Sequence, residues 1–309
     1  MKRFWVVLVV LFVLVGCTSN GEKSQFKVGI LQWTNHPALD DAREGLVSEL
    51  KNYDIVYKNA NDDASNANMM LAQMLDEGVD LIYAIATPAA QVAASQTDIP
   101  VVFNAVTDAV AAGLVSSNEA PSANVTGVSD MAPIDRQLAL IKEFLPEATS
   151  VGVLFNTSED NSLRQIEMIE SLIDKHGLNL NVQGITSPQE IALATEALAI
   201  KSDTLYIITD NMVASATAQV VNVANEHNIP VFMAEGGQFA HGILASDSIS
   251  YEKLGKQAAA MVKKILEEEV AIADIPVEIS EDTELLVSDE VAKLLGIEIP
   301  VSILERASK

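Results

Sequence analysis

Apolar and polar positions along this chain follow two alternating regimes. Short runs of consecutive apolar residues are separated by stretches in which apolar positions recur every three or four residues. Continuous runs mark strands buried on both faces, and the longer period marks amphipathic helices. Residues 26–32, 54–58, 81–86 and 101–104 are predicted strands. Residues 38–50, 64–76 and 89–95 are predicted helices. Leu39, Ala42, Leu46 and Leu50 share a face of the first, and Gly78 stops the second. Strand–helix–strand alternation predicts a parallel, doubly wound α/β sheet.

The pattern then begins again. "VGILQW" at Val28 returns as "VGVLFN" at Val151, and "DLIYAIATP" at Asp80 returns as "DTLYIITDN" at Asp203, both 123 residues on. "IPVVF" at Ile99 returns as "IPVFM" at Ile229, 130 residues on, so the helix before it is expected to be seven residues longer. A period this long is a duplicated domain and not a solenoid, whose units run about 20–50 residues. Two lobes of one fold are expected. In open parallel sheets, ligands sit beyond the carboxyl ends of the strands. If the lobes face each other, both sets of strand ends meet in one cleft. Gln32, Trp33, Thr87 and Asn104 leave the first lobe's strands there, matched by Asn156, Asp210, Asn211 and Glu235 in the second. "GVSDMAP" (residues 127–133) reads as the first crossing between lobes, with Ser129 and Asp130 facing the cleft. Residues 242–267 read as a second crossing strand and a helix returning to the first lobe, and 277–279 as a third crossing. The expected lobes are 26–128 plus 249–272 and 129–248 plus 273–300. Three crossings make a bendable hinge suited to closure around a ligand.

The remaining features narrow the function. Lys2 and Arg3, the apolar run 4–15, and Gly16 before Cys17 read as an export signal over residues 1–16. Leu14-Val15-Gly16-Cys17 resembles the bacterial lipobox, which implies cleavage before Cys17 and lipid on its sulfur. Residues 17–25 would then be a polar tether, facing outside the cytoplasm. Cys17 is the only cysteine, so no internal disulfide can form. The chain carries 43 acids against 19 bases, for a net charge of −24, which repels nucleic acid and anionic lipid. No HExxH, paired-cysteine, GxSxG or Walker motif occurs, so neither an enzyme nor a metal or other cofactor is expected. His36, His176, His227 and His241 are scattered.

Two helix starts carry candidate chemistry. In "ATPAAQ" (86–91), Thr87, Ala89 and Ala90 open a helix whose N–H groups can receive a carboxylate, or Thr87 simply caps it. In "TDN" (209–211), Asp210 has no Lys or Arg nearby in sequence, so a ligand ammonium is one expected partner and a helix cap the other. Together these sites would hold a zwitterion, with Trp33 stacked on its side chain or standing at the rim.

"VGILQWTNHPALDDAREGL", "ATPAAQ", "VVFNAVTDAVAAGLV", "NVTGVSDMAP", "TDNMV" and "IPVFMAEGG" resemble the substrate-binding lipoproteins of ABC transporters, of the tryptophan-binding type. The resemblance implies a type I periplasmic-binding-protein fold with a three-strand hinge. It also implies a monomer that delivers a small solute to a membrane permease, with tryptophan or phenylalanine the expected ligand. The positions matching the family's pocket are Gln32, Trp33, Thr87, Ser129, Asp130, Asn156, Asp210, Asn211 and Glu235, with Asp210 as ammonium partner. Trp33 stands where the resemblance leads one to expect a smaller aliphatic residue, a departure that would narrow the pocket or change the side chain preferred. A sensor of a sugar or nucleoside, coupled to a membrane signalling protein, would present the same lobes.

Overall fold

The computed structural model describes residues 26–121, 124–280 and 282–308. The first lobe begins with β1 (Lys27–Gln32), α1 (Pro37–Glu49), β2 (Asp54–Asn59), α2 (Ala64–Asp76), β3 (Leu81–Ile85), α3 (Thr87–Gln96), β4 (Val101–Val106) and β5 (Val125–Ser129). The second contains α4 (Ile134–Phe144), β6 (Ser150–Asn156), α5 (Asp160–Leu172), β7 (Asn179–Ile185), α6 (Ile191–Ala199), β8 (Thr204–Ile207), α7 (Asn211–Ser215), α8 (Thr217–Glu226), β9 (Val231–Met233) and β10 (Ala245–Ile249). The chain returns to the first lobe with α9 (Tyr251–Leu266) and β11 (Glu278–Ile279). It finishes in the second with β12 (Thr283–Val287), α10 (Asp289–Leu295) and α11 (Val301–Leu304).

The strand orders are β11-β5-β4-β3-β1-β2 and β12-β10-β9-β8-β6-β7. Removing β11 and β12 leaves two identical arrangements, as the internal repeat predicts. β12 runs antiparallel to β10, and the other pairings are parallel. β3 and β4 are buried at every position, which explains why their sequences are apolar throughout except for Asn104. Val28, Ile30, Leu81 and Phe103 lie in the first lobe's core, and Val151, Val153, Tyr206 and Phe232 in that of the second.

Two expectations are corrected. Residues 273–279 belong to the first lobe: Ile275 and Val277 pack in its core and β11 pairs with β5. The third crossing therefore lies beyond Ile279 of β11 and before Thr283 of β12. The seven extra residues of the second lobe do not lengthen one helix. They separate α7 from α8 at Ala216, whereas α3 in the first lobe is a single ten-residue helix. The signal over 1–16, the Cys17 lipidation site and most of the tether over 17–25 lie outside the described residues.

Candidate functional site

The carboxyl ends of both parallel sheets converge on one cleft, which holds two chambers. The inner chamber is nearly closed, with a cavity volume of about 10 Å3, and its walls come from both lobes. Leu39, Ala105 and Ala214 give it apolar surface, and Thr107, Thr209, Asn161, Asn211 and Tyr251 give it polar groups. His36, Asp130, Asp210 and Glu235 are its titratable members besides Tyr251. The outer chamber, about 1130 Å3 including space open to solvent, is lined by Trp33, Asp62, Gln91, Asn156, Glu159 and Met212 among others. No Lys or Arg lines either chamber among the described residues.

The backbone is strained where it borders this space. Ala86 and Ala105 have φ of 80° and 55°, and they end β3 and begin the irregular register between β4 and β5. Such conformations cost non-glycine residues of order 1–3 kcal/mol each and collect at functional sites. Ala86 sits immediately before α3, where Thr87 is the first helical residue. Thr87 makes no capping bond, and its Oγ1 is buried without a partner, so it does not cap α3. The Ala90 N–H is spent on Ala86 O (3.0 Å). By helix geometry, Thr87 and Ala89 keep first-turn N–H groups with no intrahelical acceptor.

Asp210 does the capping in the second lobe. Its Oδ1 accepts from Val213 N (2.9 Å), and its Oδ2 from Asn156 N (2.6 Å) and Ser162 Oγ (2.7 Å). Burial and the nearby Glu159 raise its carboxyl above the ordinary range, and these donors oppose the rise. Both oxygens are occupied within its own lobe. This sets Asp210 apart from Glu235, which is 2% exposed and has no hydrogen bond to either oxygen. Burial, then Asp130 and Asp41, push Glu235 up to about 8. His36 Nδ1, also buried and unpartnered, lies 3.9 Å from Glu235 Oε1. Burial pushes His36 down to about 4, so its ring is neutral.

The other expected residues separate into groups. Asp130 accepts from Thr107 Oγ1 (3.1 Å) and Tyr251 Oη (2.7 Å), and burial raises its carboxyl. Ser129 Oγ donates to Thr107 O (2.9 Å) and secures the crossing without lining a chamber. Gln32 is fully buried and consumed by Thr34 O, Asn35, Asp40 and Arg43 of its own lobe. Trp33 Nε1 donates to Asp62 Oδ1 (2.5 Å), fixing the indole at the outer chamber. Burial and Glu159 push that Asp62 up to about 6, against the indole donor.

Glu159, Asn161, Thr107 and His36 were not among the sequence-derived site residues. Glu159 accepts from Asn156 Nδ2 (3.0 Å), Asn161 Nδ2 (3.2 Å), Asn211 N (3.2 Å) and Nδ2 (2.5 Å), and Met212 N (3.4 Å). It ties the ends of β6 and β8 together. The signal for it was weak: a glutamate just before a helix in an acidic chain.

Several contacts join the lobes. Arg164 Nε donates to Asp108 Oδ2 (2.9 Å), Gln91 Nε2 to Asp160 Oδ2 (2.7 Å), and Thr107 Oγ1 faces Thr209 Oγ1 at 3.4 Å. Gly237, after β9, meets the start of α1 so closely that an added Cβ would lie 2.7 Å from Ala38 N. Gly237→Val therefore blocks closure. The expected result is about tenfold weaker ligand binding, with the unliganded melting temperature unchanged. Calorimetry and a thermal scan measure the two.

Residues 27–309 match the family model of ABC transporter substrate-binding proteins, and the chain belongs to that family. A tyrosine-binding protein from Clostridioides difficile (strain R20291) is 36% identical over 307 residues, spanning 93% of this chain and 89% of the relative. A Streptococcus pneumoniae domain solved in complex with L-Trp superposes with a TM-score of 0.89 at 34% identity, covering 92% of this chain and 98% of that one. A ligand-free, open substrate-binding protein with adhesive properties from Clostridium difficile has the higher identity, 40% over the same shares, yet a TM-score of 0.70. The lobes are thus set as in the liganded relative. Solute-binding proteins at 13–14% identity still share the fold, which is of the type I periplasmic-binding class.

Proposed function

We propose that this solute-binding protein captures an aromatic L-amino acid outside the cytoplasm and presents it to an ABC permease. The observation that carries this reading is Glu235. Its buried carboxylate has two unpaired oxygens in a chamber between the lobes, and that chamber has no Lys or Arg. In the empty protein the group is held protonated, and once ionised a carboxylate so placed requires a cationic partner from outside the chain. Glu235, and not Asp210, is the group left for a ligand ammonium. Thr87, Ala89 and Ala90 line neither chamber, and the opening of α3 is proposed for a carboxylate only on the strength of Thr87 Oγ1, which is buried without a partner. Leu39, Ala105, Ala214 and the Tyr251 ring offer the side chain apolar surface. The tyrosine and tryptophan of the relatives fit this chemistry.

The short apolar start, with Cys17 at its end, supports a lipid anchor on an outward-facing protein. No described helix is long and apolar enough to cross a membrane. Titration calorimetry with the common L-amino acids tests the proposal. One-site binding of tyrosine or tryptophan is expected, with none for the N-acetyl derivatives, which lack the ammonium. Binding of a sugar or nucleoside with no response to any amino acid would overturn it.

A further inference from the structure

The wall of the inner chamber contains a histidine from the first lobe, His36. It directly precedes α1 but makes no side-chain cap to that helix. Glu235 follows β9 in the second lobe. The two side chains meet across the cleft, with His36 Nδ1 and Glu235 Oε1 3.9 Å apart. Neither atom has a hydrogen-bond partner.

The proton on the His36 ring can be placed. Asn211 gives its Nδ2 to Glu159 Oε2 (2.5 Å). Its hydrogen bond with the His36 ring favours the charged ring, which is the action of an amide oxygen accepting from a ring N–H. Nδ1 has no partner, so that N–H belongs to Nε2. Burial keeps the ring neutral, and Nδ1 then presents a lone pair beside Glu235. Two acceptors 3.9 Å apart are too distant to bond each other and close enough to share one donor group. A nitrogen about 2.9 Å from both fits between them. The cavity of about 10 Å3 is close to the least that a group of water's size occupies. An ammonium has that size and carries three N–H donors. No Lys or Arg among the described residues lines the chamber to take its place.

We propose that His36 is a further ligand-binding residue: the guest's ammonium donates one N–H to Glu235 in the second lobe and another to His36 Nδ1 in the first. This rests on the amino-acid reading above and adds a residue to that site. The ammonium thereby ties the lobes together, so His36 acts on closure as well as on affinity. Charge alone does not meet the demand, because a quaternary ammonium suits Glu235 in sign but has no N–H for either acceptor. Loss of a hydrogen bond from a charged donor weakens binding by about 10- to 100-fold.

The test is nitrogen NMR on protein labelled at its histidine rings, with and without the tighter-binding of L-tyrosine and L-tryptophan, beside calorimetry. His36→Leu identifies the His36 signals among those of the other histidines. In wild-type protein, Nδ1 is expected to resonate as an unprotonated ring nitrogen. Ligand is expected to move it in the direction of hydrogen-bond acceptance while the proton stays on Nε2. His36→Leu is expected to weaken binding by the factor above. His36→Asn, which keeps an acceptor near the place of Nδ1, is expected to lose less than half as much on a logarithmic scale. An Nδ1 signal that ligand leaves in place, or one already protonated, would overturn the proposal without any variant. Equal losses in the two variants mark a merely structural role and would overturn it too. In either case, binding by wild-type protein leaves the amino-acid reading standing. Failure of wild-type protein to bind any amino acid removes that reading and this one together.

Discussion

Glu235→Gln is expected to weaken binding of the amino acid by at least 100-fold while leaving the fold intact. Gln keeps the size of the side chain but cannot neutralise an ammonium, and a buried charge without a counter-ion is strongly disfavoured. The same residue makes wild-type binding depend on pH. With its carboxyl raised to about 8, Glu235 is mostly protonated at neutral pH in the empty protein, and an ammonium is held by the ionised form. Binding then expels a proton, so affinity rises as pH climbs from 6 to 8, by up to about tenfold per unit, and levels above 8. Asp130, Asp210 and Tyr251 face the same chamber with raised values, and neutral His36 supplies no compensating charge. Stability of the empty protein has the opposite slope. Between the ordinary glutamate value, 4.5, and about 8, the unfolded chain has lost this proton and the folded chain retains it. Folded protein binds more protons in that window, so its stability falls as pH rises through it. Glu235→Gln removes this slope, and without ligand it is expected to melt higher than wild type at pH 8. Calorimetry from pH 6 to 9, beside thermal scans without ligand, measures both effects. A flat affinity profile in wild-type protein would contradict the assignment of Glu235.

Glu159→Ala is expected to be the more damaging change to the fold. Five donor bonds from Asn156, Asn161, Asn211 and Met212 end on this one carboxylate, which is 2% exposed. Truncation leaves buried N–H groups unpaired at the ends of two strands. Breaking such an arrangement costs roughly 3–5 kcal/mol. For a chain of this size that lowers the melting temperature by about 10 °C. Part of the cost is recovered, because Glu159 also raises the carboxyls of Asp210 and Asp62. Glu159→Gln retains an acceptor and should lose less than half as much. Thermal unfolding of both variants decides this, and a wild-type melting temperature for Glu159→Ala would refute the proposed tie.

Much of the architecture was legible in the residues. A repeat at a constant spacing survives in sequence because equivalent strands occupy equivalent buried environments. Val28 and Val151 stand at the same place in matching sheets. The place of Glu235 in the cleft was legible too, since it stands just past an apolar strand at the carboxyl end of its sheet. The errors came from partners distant in sequence. Gln32 meets the positional rule for a cleft residue, but Arg43 and Asp40 claim its side chain. Asp210 was read as an ammonium partner or a helix cap; it is the cap, and its other donors are a backbone N–H and a hydroxyl about fifty residues upstream. The boundary at 273 failed because a two-residue strand, β11, is too short to have a pattern. The break between α7 and α8 carries no proline or glycine to announce it.

That break gives the cleft a direction. A clamp made of two identical halves would grip a molecule with unlike ends equally well either way round. Here one jaw offers a full helix opening with an idle hydroxyl beside it, while the other begins with a five-residue turn already sealed by Asp210. On the reading proposed above, that difference between the jaws would disfavour the reversed pose, and each guest would be handed onward with the same end leading.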